Sequence, residues 1–289
     1  MNLAELPNRR VEAWKYSDLR AAVGDAPYKL REGRDVIERL APETSVVALA
    51  AGETRMVVDR LRDGALAADS VEYILAPGAA LTRIALQSGD GVSLSSIRVR
   101  LDAGAKFRQF VLSEGARLGR VETRVFVEGE GAEVELNGVY LAGAGRHADL
   151  TSVIEHNVGG GTTRQLIKGV AAMSGRGVFQ GKIVVAPHAQ KTDARQYHHG
   201  MLLEDGAEIF AKPELMIFAD DVQCAHGNTA GGLDERALFY MRSRGVPEAD
   251  ARALLIEAFL IEAIPEGLDA AIRKELTERI GAWLREARP

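Results

Sequence analysis

Cys224 and His226 stand two positions apart in the run QCAHG, which reads as extended. On a strand, residues i and i+2 share a face, so thiol and imidazole would point the same way. Both are good donors to iron or zinc, and a thiol beside an imidazole is also the pairing of a cysteine nucleophile with its base. Two donors do not complete a tetrahedral site, which wants about four. The missing donors would come from distant residues or from a second chain. The plain structural alternative is a small buried thiol next to a hydrogen-bonded imidazole.

Other pairs carry less. Asp220-Asp221 is an adjacent acid pair. Some β-helical enzymes cleave polysaccharides with one carboxylate as acid and another as base. Neighbours on a strand face opposite ways, which weakens that reading and equally weakens a metal site at His198-His199. Gly159-Gly160-Gly161 with Thr162-Thr163 lacks the Walker A spacing, and no helix follows it. No dinucleotide fingerprint, H-E-x-x-H or G-x-S-x-G occurs. The chain offers no complete catalytic constellation.

The elements that must position these residues are mostly strands. From Pro77 to about Gly231 the sequence alternates in short runs such as LTRIALQ, SSIRVRL, VETRVFVE and GKIVVA, broken by small-residue corners such as Gly104-Ala105 and Gly131-Ala132. No amphipathic helices are interleaved, which argues against a parallel βαβ sheet. A β-sandwich gives similar local signals. The persistence of the pattern over more than 150 residues favours a parallel β-helix. The expected class is mainly β: a solenoid core over 43–232, a short N-terminal segment over 1–42 that is partly helical, and a small helical domain over 233–289. In the N-terminal segment Val11, Trp14 and Leu19 share a helical side, but the run is too short and charged to stand alone, so it must dock on something.

In the C-terminal region Asp234 is placed to cap one helix, Gly245 to end it, and Pro247 to start the next. That next helix, about Glu248 to Ile264, is apolar on two sides. Leu254, Leu255 and Phe259 lie on one, and Ile256, Leu260 and Ile264 on the other. Such a helix is buried twice, by its own domain and by a second surface. The last helix carries a single stripe of Ile272, Leu276, Ile280 and Leu284.

Composition narrows the function classes. Of 289 residues, 36 are Lys or Arg and 41 are Asp or Glu, a net charge of −5 with no general pull toward nucleic acid or anionic membrane. One cysteine rules out an internal disulfide framework and a cysteine-only metal or cluster site within one chain. The first ten residues show no apolar signal-peptide core, and no run is long enough to span a membrane, so the expected compartment is the cytoplasm. The absence of a secretory signal also argues against the polysaccharide-cleaving rival at Asp220 and Asp221.

Two stretches carry a family resemblance. LPNRRVEAWKYSDL holds Arg10, Glu12, Trp14, Lys15, Tyr16 and Leu19 in an R-x-E-x-W-K-Y-[ST]-x-L arrangement. The long block from Lys212 to Phe259, KPELMIFADDVQCAHGNTAGGLDERALFYMRSRGVPEADARALLIEAF, and the segment Lys191-Thr192-Asp193-Ala194 fit as well. Together they resemble the SufB/SufD family of scaffold proteins for SUF iron–sulfur cluster assembly, with the single cysteine closer to the SufD branch. The resemblance implies a non-catalytic scaffold with a β-helix core. It implies pairing with a SufB-like paralogue through the β-helices, and a SufC-like ABC ATPase bound by the C-terminal helices, at Ile256, Leu260 and Ile264. In isolation a homodimer is the further expectation. His226, with Cys224 beside it, would lie at the paralogue interface and contribute to a metal or nascent-cluster site shared between chains. No cofactor would be held stably by this chain alone. His198 and His199 inherit no role.

Overall fold

The computed structural model describes residues 5–287. Residues 1–4 and 288–289, the tips of the two terminal segments expected from the sequence and part of the stretch read for a signal peptide, lie outside the described residues. After a 3-10 turn at Glu12–Trp14 come two short helices, α1 (Leu19–Val23) and α2 (Val36–Leu40). The strands then run without interruption: β1 (Thr44–Leu49), β2 (Thr54–Arg60), β3 (Ala67–Leu75), β4 (Ala80–Gln87), β5 (Val92–Leu101), β6 (Lys106–Ser113) and β7 (Leu118–Val127). They continue as β8 (Glu133–Ala142), β9 (His147–His156), β10 (Thr162–Ala171), β11 (Arg176–Val185), β12 (Asp193–Leu202), β13 (Glu208–Ile217) and β14 (Gln223–Gly231). Three helices close the chain: α3 (Glu235–Ser243), α4 (Glu248–Ile261) and α5 (Ala270–Ala287).

Odd strands form one seven-stranded sheet in the order β1-β3-β5-β7-β9-β11-β13, and even strands form the other, from β2 to β14. Every strand pairs in parallel with the strand two places away in sequence. This is the parallel β-helix that the alternating runs and small-residue corners call for. Register partners are 80 − 54 = 26 residues apart at the first turn (Thr54↔Ala80) and 223 − 193 = 30 at the last (Asp193↔Gln223).

The inward faces of the two sheets meet in an apolar core that includes Leu75, Leu81, Val99, Leu101, Phe107, Val125, Val134, Ile154 and Ile183. The outward faces are covered separately. On the even-stranded sheet Ile84, Leu86, Phe110, Leu112, Val139, Leu141 and Val170 pack against α4 and α5. On the odd-stranded sheet the N-terminal segment and α2 lie over β3, β5 and β7, with Trp14, Leu19, Ile37, Leu94 and Leu118 buried together. Asp234 caps α3 by accepting from the amides of Arg236 and Ala237 at 2.9 and 3.2 Å. Gly245, at φ 86°, ends it in the left-handed region that glycine enters without strain. No described helix is long and apolar enough to cross a membrane.

The structure corrects one expectation about the helices. Ile256, Leu260 and Ile264 do not face a partner. They are 0%, 0% and 4% exposed, wedged between α4 and the even-stranded sheet in this chain's own core. Both sides of α4 are apolar, and the one that closes on the sheet carries Ile256 and Leu260. On α3 and α4 the large apolar side chains left in solvent are Phe239 (72% exposed), Tyr240 (59%) and Leu254 (51%).

Candidate functional site

Cys224 and His226 lie on β14, the last strand of its sheet, bonded to β12 on one side and, among the described residues, to no strand on the other. Register pairs Ala194 with Cys224, Gln196 with His226 and His198 with Asn228. Ala194, Gln196 and His198 are fully buried in the bore of the solenoid. The row Cys224, His226 and Asn228 therefore continues the inward-facing row of the rung below. Because no rung follows, that row opens to solvent. His226 and Asn228 are exposed, and Cys224 is half-buried, packed against the edge of the main core. The spacing argument for a shared face holds, and the exposure is a consequence of chain position rather than of local sequence.

The thiol is not poised to react by itself. Burial pushes the Cys224 pKa up and the Asp193 carboxylate adds to this, against a hydrogen bond with the Ala194 backbone. A protonated thiol binds metal only by losing its proton, which needs an incoming cation or a second positive group. Among the described residues no three His, Cys, Asp or Glu side chains converge to hold a metal ion. Cys224 and His226 thus present two donors, one soft and one borderline, on an open face.

The acid pair sits elsewhere than a strand. Asp220 and Asp221 occupy the bend between β13 and β14. Asp221 ties two corners together: its carbonyl accepts from the Lys191 amide at 2.7 Å, its carboxylate pairs with the Lys191 ammonium, and its amide donates to Gln190 at 2.8 Å. Lys191 holds φ 62°, so this corner is a constrained backbone turn. Asp221 is committed to that turn, and the polysaccharide-cleaving reading loses its second carboxylate. The two histidines diverge as strand neighbours must. His198 points into the bore, and His199 points out, with its Nδ1 2.7 Å from Thr229 Oγ1.

The N-terminal motif and the long C-terminal block meet in space. Glu12 pairs with Lys212, whose presence lowers the Glu12 pKa. Tyr16 stacks on Phe210 with centroids 5.1 Å apart. Ser17 donates to Asp149 at 2.5 Å. Trp14 covers Arg120, whose guanidinium carbon lies 4.2 Å from the ring centroid. Arg120 is fully buried and bonds Asp149 at 2.7 Å and Glu122 at 3.0 Å, and Arg124 reaches Glu122 at 2.8 Å. Burial alone would raise the Glu122 pKa, but the charges of Arg120 and Arg124 outweigh it and hold the group ionised. Sequence reasoning missed this cluster because Arg120, Glu122 and Arg124 alternate along β7 as a solvated face would. The available signal was the lone Trp14 in a segment too short to fold by itself.

A family model described as the SUF system FeS cluster assembly SufBD core domain matches residues 32–259. Among curated proteins, the iron–sulfur cluster assembly protein SufD of Escherichia coli K12 is 37% identical over 183 residues, 63% of this chain and 43% of that protein. A SufBD family iron–sulfur cluster assembly protein of Synechocystis is 34% identical over 197 residues, covering 68% of this chain and 44% of that protein. One from Mycobacterium tuberculosis H37Rv is 30% identical over 239 residues, covering 79% and 60% respectively. The chain thus matches less than half the length of the first two relatives.

Proposed function

The chain belongs to the SufBD family of the SUF iron–sulfur cluster assembly system, and on that premise we propose that it is a scaffold subunit on which a nascent cluster is built at the open end of the β-helix. The observation that carries this reading is the terminal rung, where Cys224 and His226 continue an inward row into solvent on a strand whose outer edge is unpaired. A free strand edge invites continuation of the sheet by a second chain. A paralogous β-helix meeting β13 and β14 would extend both sheets and bring further donors to face Cys224 and His226. The cluster is cargo, assembled across the junction and passed on, and this chain contributes ligands and shape rather than a catalytic centre.

The power source in this reading is an ABC-type ATPase docked on the C-terminal helices. The surface offered to it is Phe239 and Tyr240 on α3 with Leu254 on α4, since the opposite side of α4 is fixed in the core. Because α4 and α5 pack directly on β4 to β10, a pull on the helices reaches the even-stranded sheet without a flexible intermediary. Nucleotide-dependent differences in docking would then bias the shape of the open end. The expected site of action is the cytoplasm.

Affinity purification of the tagged chain from its native cell tests the reading. A SufB-like paralogue and a SufC-like ATPase should co-purify, and anaerobic incubation of the complex with iron and a sulfide source should develop cluster absorbance. Recovery of the tagged chain alone, or cluster formation unaffected by His226→Ala, would overturn it.

A further inference from the structure

His198 lies in the rung directly beneath β14, fully buried between two aromatic rings. Its imidazole stacks on Phe179 at 5.1 Å and 6° and on Tyr140 at 5.9 Å and 11°. The bore is shaped for this stack. A Cβ on Gly169 or Gly177 would come within 2.1 or 2.2 Å of the Tyr140 ring, so both positions must lack a side chain.

The polar atoms of the stack form a directed chain. His198 Nε2 is 3.0 Å from the Tyr140 hydroxyl, and Nδ1 is 2.7 Å from Asn228 Oδ1. A carboxamide oxygen only accepts, so the imidazole proton sits on Nδ1 and donates to Asn228. Nε2 then accepts from Tyr140. Burial keeps both partners in the required state, pushing the Tyr140 pKa far above the ordinary phenol range and the His198 pKa down to about 4. Asn228 shares the open inward row with Cys224 and His226, two residues beyond the latter. Together with the Cys224 thiol's hydrogen bond to the Ala194 backbone, this bond ties the inward row of β14 to the buried interior.

We propose that His198 is a positioning residue for the terminal rung: through Asn228 it holds β14 in register, so that Cys224 and His226 are presented at a fixed spacing and height. The strand needs such a tie. Its backbone ladder runs to β12 alone, and a strand bonded on one side is free to fray or slip. The significance for cluster assembly rests on the reading of Cys224 and His226 given above, whereas the tie itself does not.

Hydrogen–deuterium exchange on the full chain, together with the alkylation rate of Cys224, tests this. His198→Phe preserves the ring stack and removes both hydrogen bonds. Asn228→Ala removes the exposed end of the chain and leaves the buried stack intact, so it reports even where the first variant folds poorly. In each, amides of residues 223–231 should exchange about tenfold faster, the effect of losing one part-buried hydrogen bond. In Asn228→Ala the amides of β8 should stay at the wild-type rate, and in both variants Cys224 should alkylate faster. The double variant should match the singles, and His198→Asn, which keeps a donor near the Nδ1 position, should restore much of the protection. Exchange of β14 within twofold of wild type in Asn228→Ala, or equal acceleration in β8, would overturn the proposal. Loosening of β14 with undiminished cluster formation by the complex would uphold the tie and instead remove the cluster role of Cys224 and His226.

Discussion

The middle of the solenoid and its last rung use the same strand design but differ in what covers them. From β5 to β11 the bore is filled from above and below, one outer face lies under the N-terminal segment, and the other lies under α4 and α5. At β13 and β14 the bore is open, and the outer strand edges are unpaired among the described residues. Polar residues in the covered part, such as Arg120 and Asp149, are locked by neighbours on all sides. Cys224, His226 and Asn228, in the open part, have neighbours on one side. In the proposed reading, the difference separates residues that stabilise the fold from residues left for a partner and its cargo.

The largest effect expected from breaking that division is at Arg120. Arg120→Met leaves Glu122 and Asp149 buried beside Trp14 with their shared cation gone. Removing one member of a buried ionic cluster costs about 3–5 kcal/mol. Equilibrium denaturation in urea should show this loss, and replacing all three charged residues by apolar ones of similar size should recover most of it. A single variant as stable as wild type would mean that solvent reaches the cluster through the N-terminal segment.

Two residues on one helix sharpen the same contrast. Leu260→Ala opens a cavity between α4 and the even-stranded sheet and should cost about 2–5 kcal/mol. Leu254→Glu, six residues earlier and exposed, should change stability by less than about 0.5 kcal/mol. In the proposed reading it should nevertheless weaken ATPase binding in a pull-down. Equal stability of the two variants would erase the distinction between the core side of α4 and its free side.

Acidification probes the covered histidines, His156 and His198 in the bore and His147 beneath the N-terminal segment. Burial pushes the pKa values of His147, His156 and His198 each down to about 4 from 6.5. The unfolded chain therefore binds more protons than the folded one between those values. Stability from this source is fully present above about pH 6.5 and falls as pH drops toward 4, by up to about 3 kcal/mol per histidine. The melting temperature should decline steadily from pH 7 to pH 5. His156→Leu should flatten the decline, since that ring keeps only the Thr163 contact at 2.8 Å and leaves Nδ1 unpaired. A flat profile in the unaltered chain would show that water reaches these rings.

How much of this was legible in the sequence follows from local versus non-local signals. The β-helix could be read because each strand and each small-residue corner announces itself locally. The shared face of Cys224 and His226 followed from strand periodicity, and the divergence of His198 from His199 followed from the same rule. The choice between the two sides of α4 was not legible, because both sides are apolar and only the docked sheet decides which is buried. Asp220 and Asp221 were read as strand residues, and the hydrogen bonds of Lys191 and Gln190 place them in a corner. The burial of Arg120 depends on a tryptophan more than a hundred residues earlier, which no window of sequence contains.

The smallest effect on stability, and the most informative on function, is expected at His226. The side chain is exposed, on the last strand, so truncation opens no cavity and strands no buried partner. His226→Ala should leave the urea midpoint close to wild type, within about 0.5 kcal/mol in stability. Cys224→Ala should cost somewhat more, because the thiol packs against the core edge beside Ala194. If the open rung is where the cluster forms, the ordering reverses in cells. His226→Ala should then sharply reduce maturation of iron–sulfur enzymes while the protein accumulates normally, since water does not replace a missing imidazole donor of fixed geometry. The paired measurement separates the two regions cleanly. A variant at Arg120 loses function by losing fold, with abundance and activity falling together. A variant at His226 should lose activity at constant abundance. Destabilisation at His226 with normal enzyme maturation would place it with the structural residues of the covered rungs, and the open end would then be a docking face without a role in chemistry.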